Sequence, residues 1–139
     1  MFKTVLVALD LDAPETAERL VAAARKISTG PNSGIHVINV VPEPGMSLVG
    51  SALGPDHFSK LMETARQAAS DWMSSALPEA AQLHVDQGTV YHAILKTADA
   101  IGADAIIVGA HHPQFSDYLV GSNAARVVRH AKQSVFVIR

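Results

Sequence analysis

Apolar positions along this chain follow two periods. Five short runs, residues 2–9, 35–41, 82–87, 105–108 and 134–138, are consecutively or alternately apolar, as strands require. Between them, four stretches repeat their apolar residues every three or four positions, as one face of a helix requires. In the first helical stretch Ala17, Leu20, Val21, Ala24 and Ile27 share a face. Asp12 stands at its N-cap, with Pro14 in the first turn and Glu15 at capping-box spacing. Gly30-Pro31-Asn32 ends it. The second carries Phe58, Leu61, Met62, Ala65, Ala69, Trp72, Met73 and Ala76, with Pro78 just beyond. The third starts at Gly88-Thr89, turns Ile94, Leu95, Ala98 and Ile101 inward, and stops at Gly102. The last is lined by Ala124, Ala125, Val127, Val128 and Ala131.

Strand and helix alternate throughout, which predicts an α/β fold: one doubly wound, five-stranded parallel sheet with helices on both faces and right-handed crossovers. The run 82–87 has only Leu83 and Val85 alternating with polar residues, so it belongs at an edge. Residues 42–55, rich in Gly and Pro, form the one long loop, and within it 46–54 is the candidate cover of a site. In such sheets ligands sit outside the carboxyl ends of the strands where the winding reverses. Two ends qualify: Ala8-Leu9-Asp10, and Gly109.

Length and composition narrow the class. The 139 residues fit one domain, 1–139, and bury enough surface to fold without staples. There is no cysteine, so disulfide and thiolate chemistry are excluded. The net charge of −2, with no basic cluster beyond Arg126, Arg129 and Lys132, argues against nucleic acid as a partner. Favourable charge at a helix C-terminus accounts for Arg129 and Lys132. No apolar run approaches about 18 residues, and the first residues lack a signal-peptide pattern. The expectation is a cytoplasmic protein with no membrane insertion.

The chemistry gathers near the end of the chain. After the strand-end glycine, Gly109, comes a polar loop, and then Gly121-Ser122-Asn123 opens an amphipathic helix. Glycines let main chain approach a ligand, and unpaired N–H groups at a helix N-terminus favour an anion such as phosphate. Simple turn geometry at a positive φ is the alternative role for Gly109 and Gly121. Ser122 can donate to phosphate, ligate Mg²⁺ through a bound nucleotide, or cap the helix; Asn123 can cap or add an amide donor. His111 and His112 lie in the loop, where either can hydrogen-bond phosphate; no third ligand accompanies them as a metal pair. Phe115 and Tyr118 anchor that loop. His36, His57, His84, His92 and His130 show no partner and read as surface or half-buried residues. No nucleophile has a base at recognisable spacing, and neither a P-loop lysine nor Gly-x-Gly-x-x-Gly occurs.

The segments VLVALD, VINVVPEP, QGTVYHAILKTADAIGADAIIVG and LVGSNAARVVRHAKQSVFVIR together resemble the universal stress protein family over essentially the whole chain. The ending, with its His-x-Pro loop and Tyr-Leu-x-Gly-Ser-Asn-Ala-Ala, is most similar to the UspF/UspG-type branch. The resemblance implies the strand order 3-2-1-4-5, the adenine-nucleotide alpha hydrolase-like fold, and a homodimer through the C-terminal strand 134–138 paired antiparallel with its copy. It also implies ATP, with Mg²⁺, at the carboxyl ends of strands 1 and 4. There Asp10, with Ala8 and Leu9 before it, meets the adenosine, and the backbone of Val40 and Val41 faces adenine. The family's phosphate pattern is Gly-x-x-Gly, a spacer, then Gly-Ser/Thr. Here Gly109 and Gly121-Ser122 hold the outer places, His112 replaces the middle glycine, and the spacer of eight residues is one short of the family's.

The function implied is a dimeric stress-response sensor or switch that binds an adenine nucleotide and meets a protein partner. Two rival readings remain: a dimeric scaffold of the same family that binds no nucleotide, favoured by His112 and the shorter loop, and a slow ATPase or self-modifying nucleotide transferase.

Overall fold

The computed structural model describes residues 2–10, 13–29, 34–41, 49–80, 82–110 and 121–139. Strand β1 (Thr4–Leu9) leads into helix α1 (Pro14–Ile27), followed by β2 (Gly34–Val41), α2 (Val49–Ala76), β3 (Gln82–Gln87), α3 (Val90–Ile101), β4 (Ala105–Gly109), α4 (Ser122–His130) and β5 (Ser134–Ile138). The strands form one parallel sheet in the order β3-β2-β1-β4-β5. The weakly apolar run 82–87 is indeed an edge strand, and β5 is the other edge.

Alternation along the strands sorts the core into two layers, because successive side chains point to opposite faces. Val5, Val7 and Leu9 of β1, with Ile35 and Val37 of β2 and Ala105 and Ile107 of β4, pack against α1 and the C-terminal half of α2. Leu6, Ile38, Ile106 and Val108 point the other way, onto Ala93, Ile94 and Ala98 of α3 and Ala124 and Val127 of α4. Central β1 and β4 are therefore apolar on both faces, as their near-continuous runs require.

The middle of the sheet is also tied by a side chain. The Asp104 carboxylate accepts the backbone N–H groups of Lys3 at 3.0 Å and Thr4 at 2.9 Å, while the Thr4 carbonyl accepts the N–H of Asp104 at 2.9 Å. Gly102 stops α3 in the left-handed region, φ 67° and ψ 37°, and the N–H of Ala103 closes on the Ala98 carbonyl at 2.9 Å.

Several local expectations need correction. The N-cap of α1 is Ala13, with no side-chain cap and Pro14 as the first helical residue, not Asp12, which lies outside the described residues. Pro at that position has φ preset for the helix and lacks an N–H that would go unpaired anyway. The Gly30-Pro31-Asn32 stop also lies outside them. The loop expected over 42–55 is shorter, because α2 already begins at Val49. Its Gly54-Pro55 step lies inside that helix, and the Cβ part of the clash that disfavours a helical residue before proline is missing because the residue is glycine. A cover made of 46–54 is therefore partly helix. On the helices, Leu61, Ala125 and Val128 are exposed although their spacing points them inward. The short α4 buries only a narrow stripe, Ala124 and Val127.

Candidate functional site

The order β3-β2-β1-β4-β5 places the reversal of winding between β1 and β4. A cavity of about 520 Å³ opens at the carboxyl ends of the strands there, within the size range of ligand pockets. Its walls come from several elements. Ala8, Leu9 and Asp10 end β1; Ile38, Asn39, Val40 and Val41 end β2; Val108 and Gly109 end β4. Thr16 and Leu20 of α1 and Val90 and Ile94 of α3 add the two flanks, and Gly121, Ser122, Asn123 and Ala124 bring in the start of α4.

Nine residues singled out from the sequence thus border one space: Ala8, Leu9, Asp10, Val40, Val41, Gly109, Gly121, Ser122 and Asn123. The other two, His111 and His112, lie outside the described residues, as do Phe115 and Tyr118. Asp10 is exposed, and its carbonyl accepts the N–H of Ala13 at 3.2 Å, which turns the chain from β1 into α1.

The start of α4 is built as an anion site requires. Gly121 is the N-cap, φ −55° and ψ 151°, and its carbonyl takes the N–H of Ala125 at 2.9 Å. Ser122 is the first residue of the helix rather than its cap, and the cap position makes no side-chain hydrogen bond. The N–H groups of Ser122, Asn123 and Ala124 are the first of the helix and have no partner within it. They stand at the positive end of the helix dipole. No Lys or Arg is among the described lining residues, so these N–H groups supply the positive potential there.

The two glycines differ. Neither has a positive φ, so turn strain explains neither. A Cβ on Gly109 would stand 2.6 Å from the Thr16 methyl carbon, too close for any residue but glycine unless the Thr16 side chain or α1 shifts. Gly109 thus has a packing reason: it lets α1 lie against the end of β4. A Cβ on Gly121 would meet nothing nearer than the Ala110 carbonyl oxygen, at 3.9 Å. No contact within the described protein demands glycine there, and the space its Cβ would take borders the cavity.

Two polar wall residues were not foreseen. Thr16 and Asn39 are each 8% exposed and both border the cavity. Thr16 is one helical turn before Leu20, so the amphipathic spacing of α1 already put it on the buried face. Asn39 interrupts the apolar run 37–41, and a polar residue in a buried run is the signal that could have found it. Its register partner is Leu9, directly before Asp10.

Histidine pairing was also missed. His36 and His84 are not without partners: Nδ1 of His36 and Nε2 of His84 are 2.9 Å apart across β2 and β3. Burial, and then the charge of its neighbour, hold His36 below the usual imidazole range; burial does the same to His84. His130 stacks on Tyr91 with ring centres 6.1 Å apart, and the Arg126 guanidinium lies 5.2 Å from the centre of the Tyr91 ring.

Comparison with known proteins agrees with this architecture. A model of the universal stress protein family matches residues 1–139. Universal stress protein G of Escherichia coli O157:H7 is 29% identical over 143 residues, covering 100% of both chains. Among solved structures, universal stress protein UspA from Lactobacillus plantarum superimposes with a TM-score of 0.71 at 22% identity, covering 100% of this chain and 99% of its own. A universal stress protein in complex with cAMP gives a TM-score of 0.62 at 20% identity, covering 99% and 97%.

Proposed function

Since the chain belongs to the universal stress protein family, we propose that it is a stress-response protein that binds an adenine nucleotide, ATP with Mg²⁺, in the cavity at the ends of β1 and β4. The observation that carries this reading is the meeting, around one space, of the unpaired N-terminal N–H groups of α4 with the Asp10 end of β1. The Asp10 carboxylate accepts from ribose hydroxyls or an exocyclic amine. The backbone of Val40 and Val41 faces the base, with Ala8 and Leu9 beside it. Phosphate lies against Gly121, Ser122 and Asn123, with Gly109 keeping the wall close. In this reading His111 and His112, which lie outside the described residues, are the side chains that hydrogen-bond phosphate, and the Ser122 hydroxyl is the Mg²⁺ contact through the nucleotide. A solved relative bound to cAMP shows that this fold accommodates an adenine nucleotide in that protein.

Within this reading the protein works in the cytoplasm as a homodimer through β5, whose Val135, Phe136, Val137 and Ile138 remain half-buried at a sheet edge. The nucleotide biases a dimer form that a protein partner recognises. Sedimentation of the wild type and Val137→Lys tests the dimer: a wild-type monomer overturns it.

The binding test is thermal unfolding with and without Mg-ATP, with GTP as control. Ligand at about 100 times its dissociation constant adds about 2.7 kcal/mol, a rise of roughly 6–15 °C for a domain of this size. Gly121→Val removes the shift while leaving the fold intact, since its φ suits any residue. No shift at millimolar ATP, or an unchanged shift in Gly121→Val, overturns the assignment; the former leaves the nucleotide-free scaffold as the reading.

A further inference from the structure

The edge of the sheet opposite β5 holds a second arrangement, chemically unrelated to the cavity. In the parallel register His36 lies opposite Gln82 and Ile38 opposite His84, so the two histidines are diagonal neighbours on one face of the β2–β3 pair. Their rings are nearly parallel, at 22° with centres 5.2 Å apart, and one nitrogen of each converges on the other at 2.9 Å. A single proton shared as N–H···N holds such a pair when both rings are otherwise neutral.

We propose that His36 and His84 form a two-imidazole chelate for a divalent transition ion of the Cu²⁺ or Ni²⁺ class. The spacing is the first argument. Two imidazole nitrogens about 2.0–2.1 Å from one metal and at right angles to each other are about 2.9 Å apart, whereas a tetrahedral ion needs about 3.3 Å. The observed separation is that of an N–H···N contact, and it already holds the two nitrogens at the spacing that the tetragonal geometry of Cu²⁺ and Ni²⁺ needs. Both rings must turn about χ2, a soft torsion, to swing their lone pairs from the line between them to a common apex. The second argument is protonation: burial favours the neutral rings, the form that binds metal. The third is access, since both residues are only half-buried and an ion reaches them without unfolding.

The described residues contain no group of three or more His, Cys, Asp or Glu side chains arranged for a metal. Water fills the remaining positions, so the site is open and exchangeable rather than a closed structural centre. Metal takes the place of the shared proton, which passes through solvent to the other nitrogen of its own ring, so that both imidazoles bind as neutral ligands and cross-link β3 to β2. Because the nitrogens converge only in the folded sheet, binding stabilises the native state.

The test uses the full chain stripped with a chelator and titrated with Cu²⁺ or Ni²⁺, nucleotide absent. Substoichiometric Cu²⁺ broadens the wild-type NMR signals of His36 and His84 first, and the electron paramagnetic resonance spectrum carries coupling from two nitrogens. His36→Gln and His84→Gln each weaken binding on the order of a hundredfold, the gain expected from linking two ligands. His92→Gln, an exposed histidine elsewhere, leaves binding unchanged. Broadening that starts elsewhere, a single coupled nitrogen in the wild type, or a loss that follows replacement of His111 and His112 instead of His36 and His84 overturns the proposal. The wild-type spectra decide the matter even should a variant fold poorly.

Discussion

Two regions of the β2 strand, only two residues apart, show how differently one sheet serves its ends. Ile38 is 1% exposed, packs into the layer under α3, and forms part of the cavity wall. His36 points to the same face but lies toward the start of the strand, where its nearest polar contact is another imidazole on an edge strand. The carboxyl end of the sheet is shaped by close packing around a space; the β2–β3 edge is shaped by one polar contact. A binding cavity needs rigid apolar walls, whereas an edge strand tolerates a wet, adjustable pair.

The sharpest way to break this contrast is to truncate both. Ile38→Ala is expected to cost about 2–5 kcal/mol, from lost burial and the cavity left behind. His36→Gln is expected to cost about 1 kcal/mol, the net worth of one hydrogen bond. Urea unfolding of the two variants checks the order; equal losses would mean the edge is part of the core.

Next in size is the contact that seats α1 on β4. Gly109→Ala forces a Cβ against the Thr16 methyl and is expected to cost about 1–3 kcal/mol by overpacking. Thr16→Ser removes that methyl, so the double variant should recover most of the loss. A double-mutant cycle that sums without coupling would place the strain elsewhere.

A smaller effect separates the edge from the cavity by pH. The folded pKa of both His36 and His84 is depressed, so below the unfolded value of about 6.5 the unfolded chain binds more protons. Stability from the pair is full above that value and is lost as pH falls below it. In chelator-treated protein the urea midpoint should drop more between pH 7.5 and 5.5 for the wild type than for the variant carrying both His36→Gln and His84→Gln. Equal drops would assign the acid sensitivity to other groups.

The smallest effect is expected at Gly121. Gly121→Ala should change stability by no more than about 0.5 kcal/mol, because its Cβ would make only an ordinary contact, with the Ala110 carbonyl oxygen at 3.9 Å, and its φ is ordinary. A large loss there would make Gly121 a packing glycine like Gly109 and remove the reason to link it to phosphate.

What could be read in advance divides along the same line. Period and punctuation are local, so the five strands, the edge position of Leu83 and Val85, and the stop at Gly102 were all legible. The cavity's main-chain walls were legible too, because strand ends and the Gly121-Ser122 helix start are properties of short segments. Register is not local. Nothing near His36 announces that residue 84 will stand beside it, since the pairing depends on how β2 and β3 slide past each other. The same limit hid Thr16 against Gly109, a contact between a helix and a strand more than ninety positions apart. Local signals also misled at Gly54-Pro55, where two breakers sit inside a helix, and at Val128, where helical spacing suggested burial that the short α4 does not provide.

The Asp104 clasp on Lys3 and Thr4 sets an order in time as well as in space. β1 is made first, but its partner β4, and the carboxylate that secures them, lie 100 positions later. On a ribosome, one flank of the central strand therefore has no partner until most of the chain has emerged, while β2 can join the other flank early. Closing so long a span is the entropically costly step, and it belongs late in folding. The switch between β1 and β4, over which the cavity opens, is thus the seam of the sheet that joins the most distant parts of the chain.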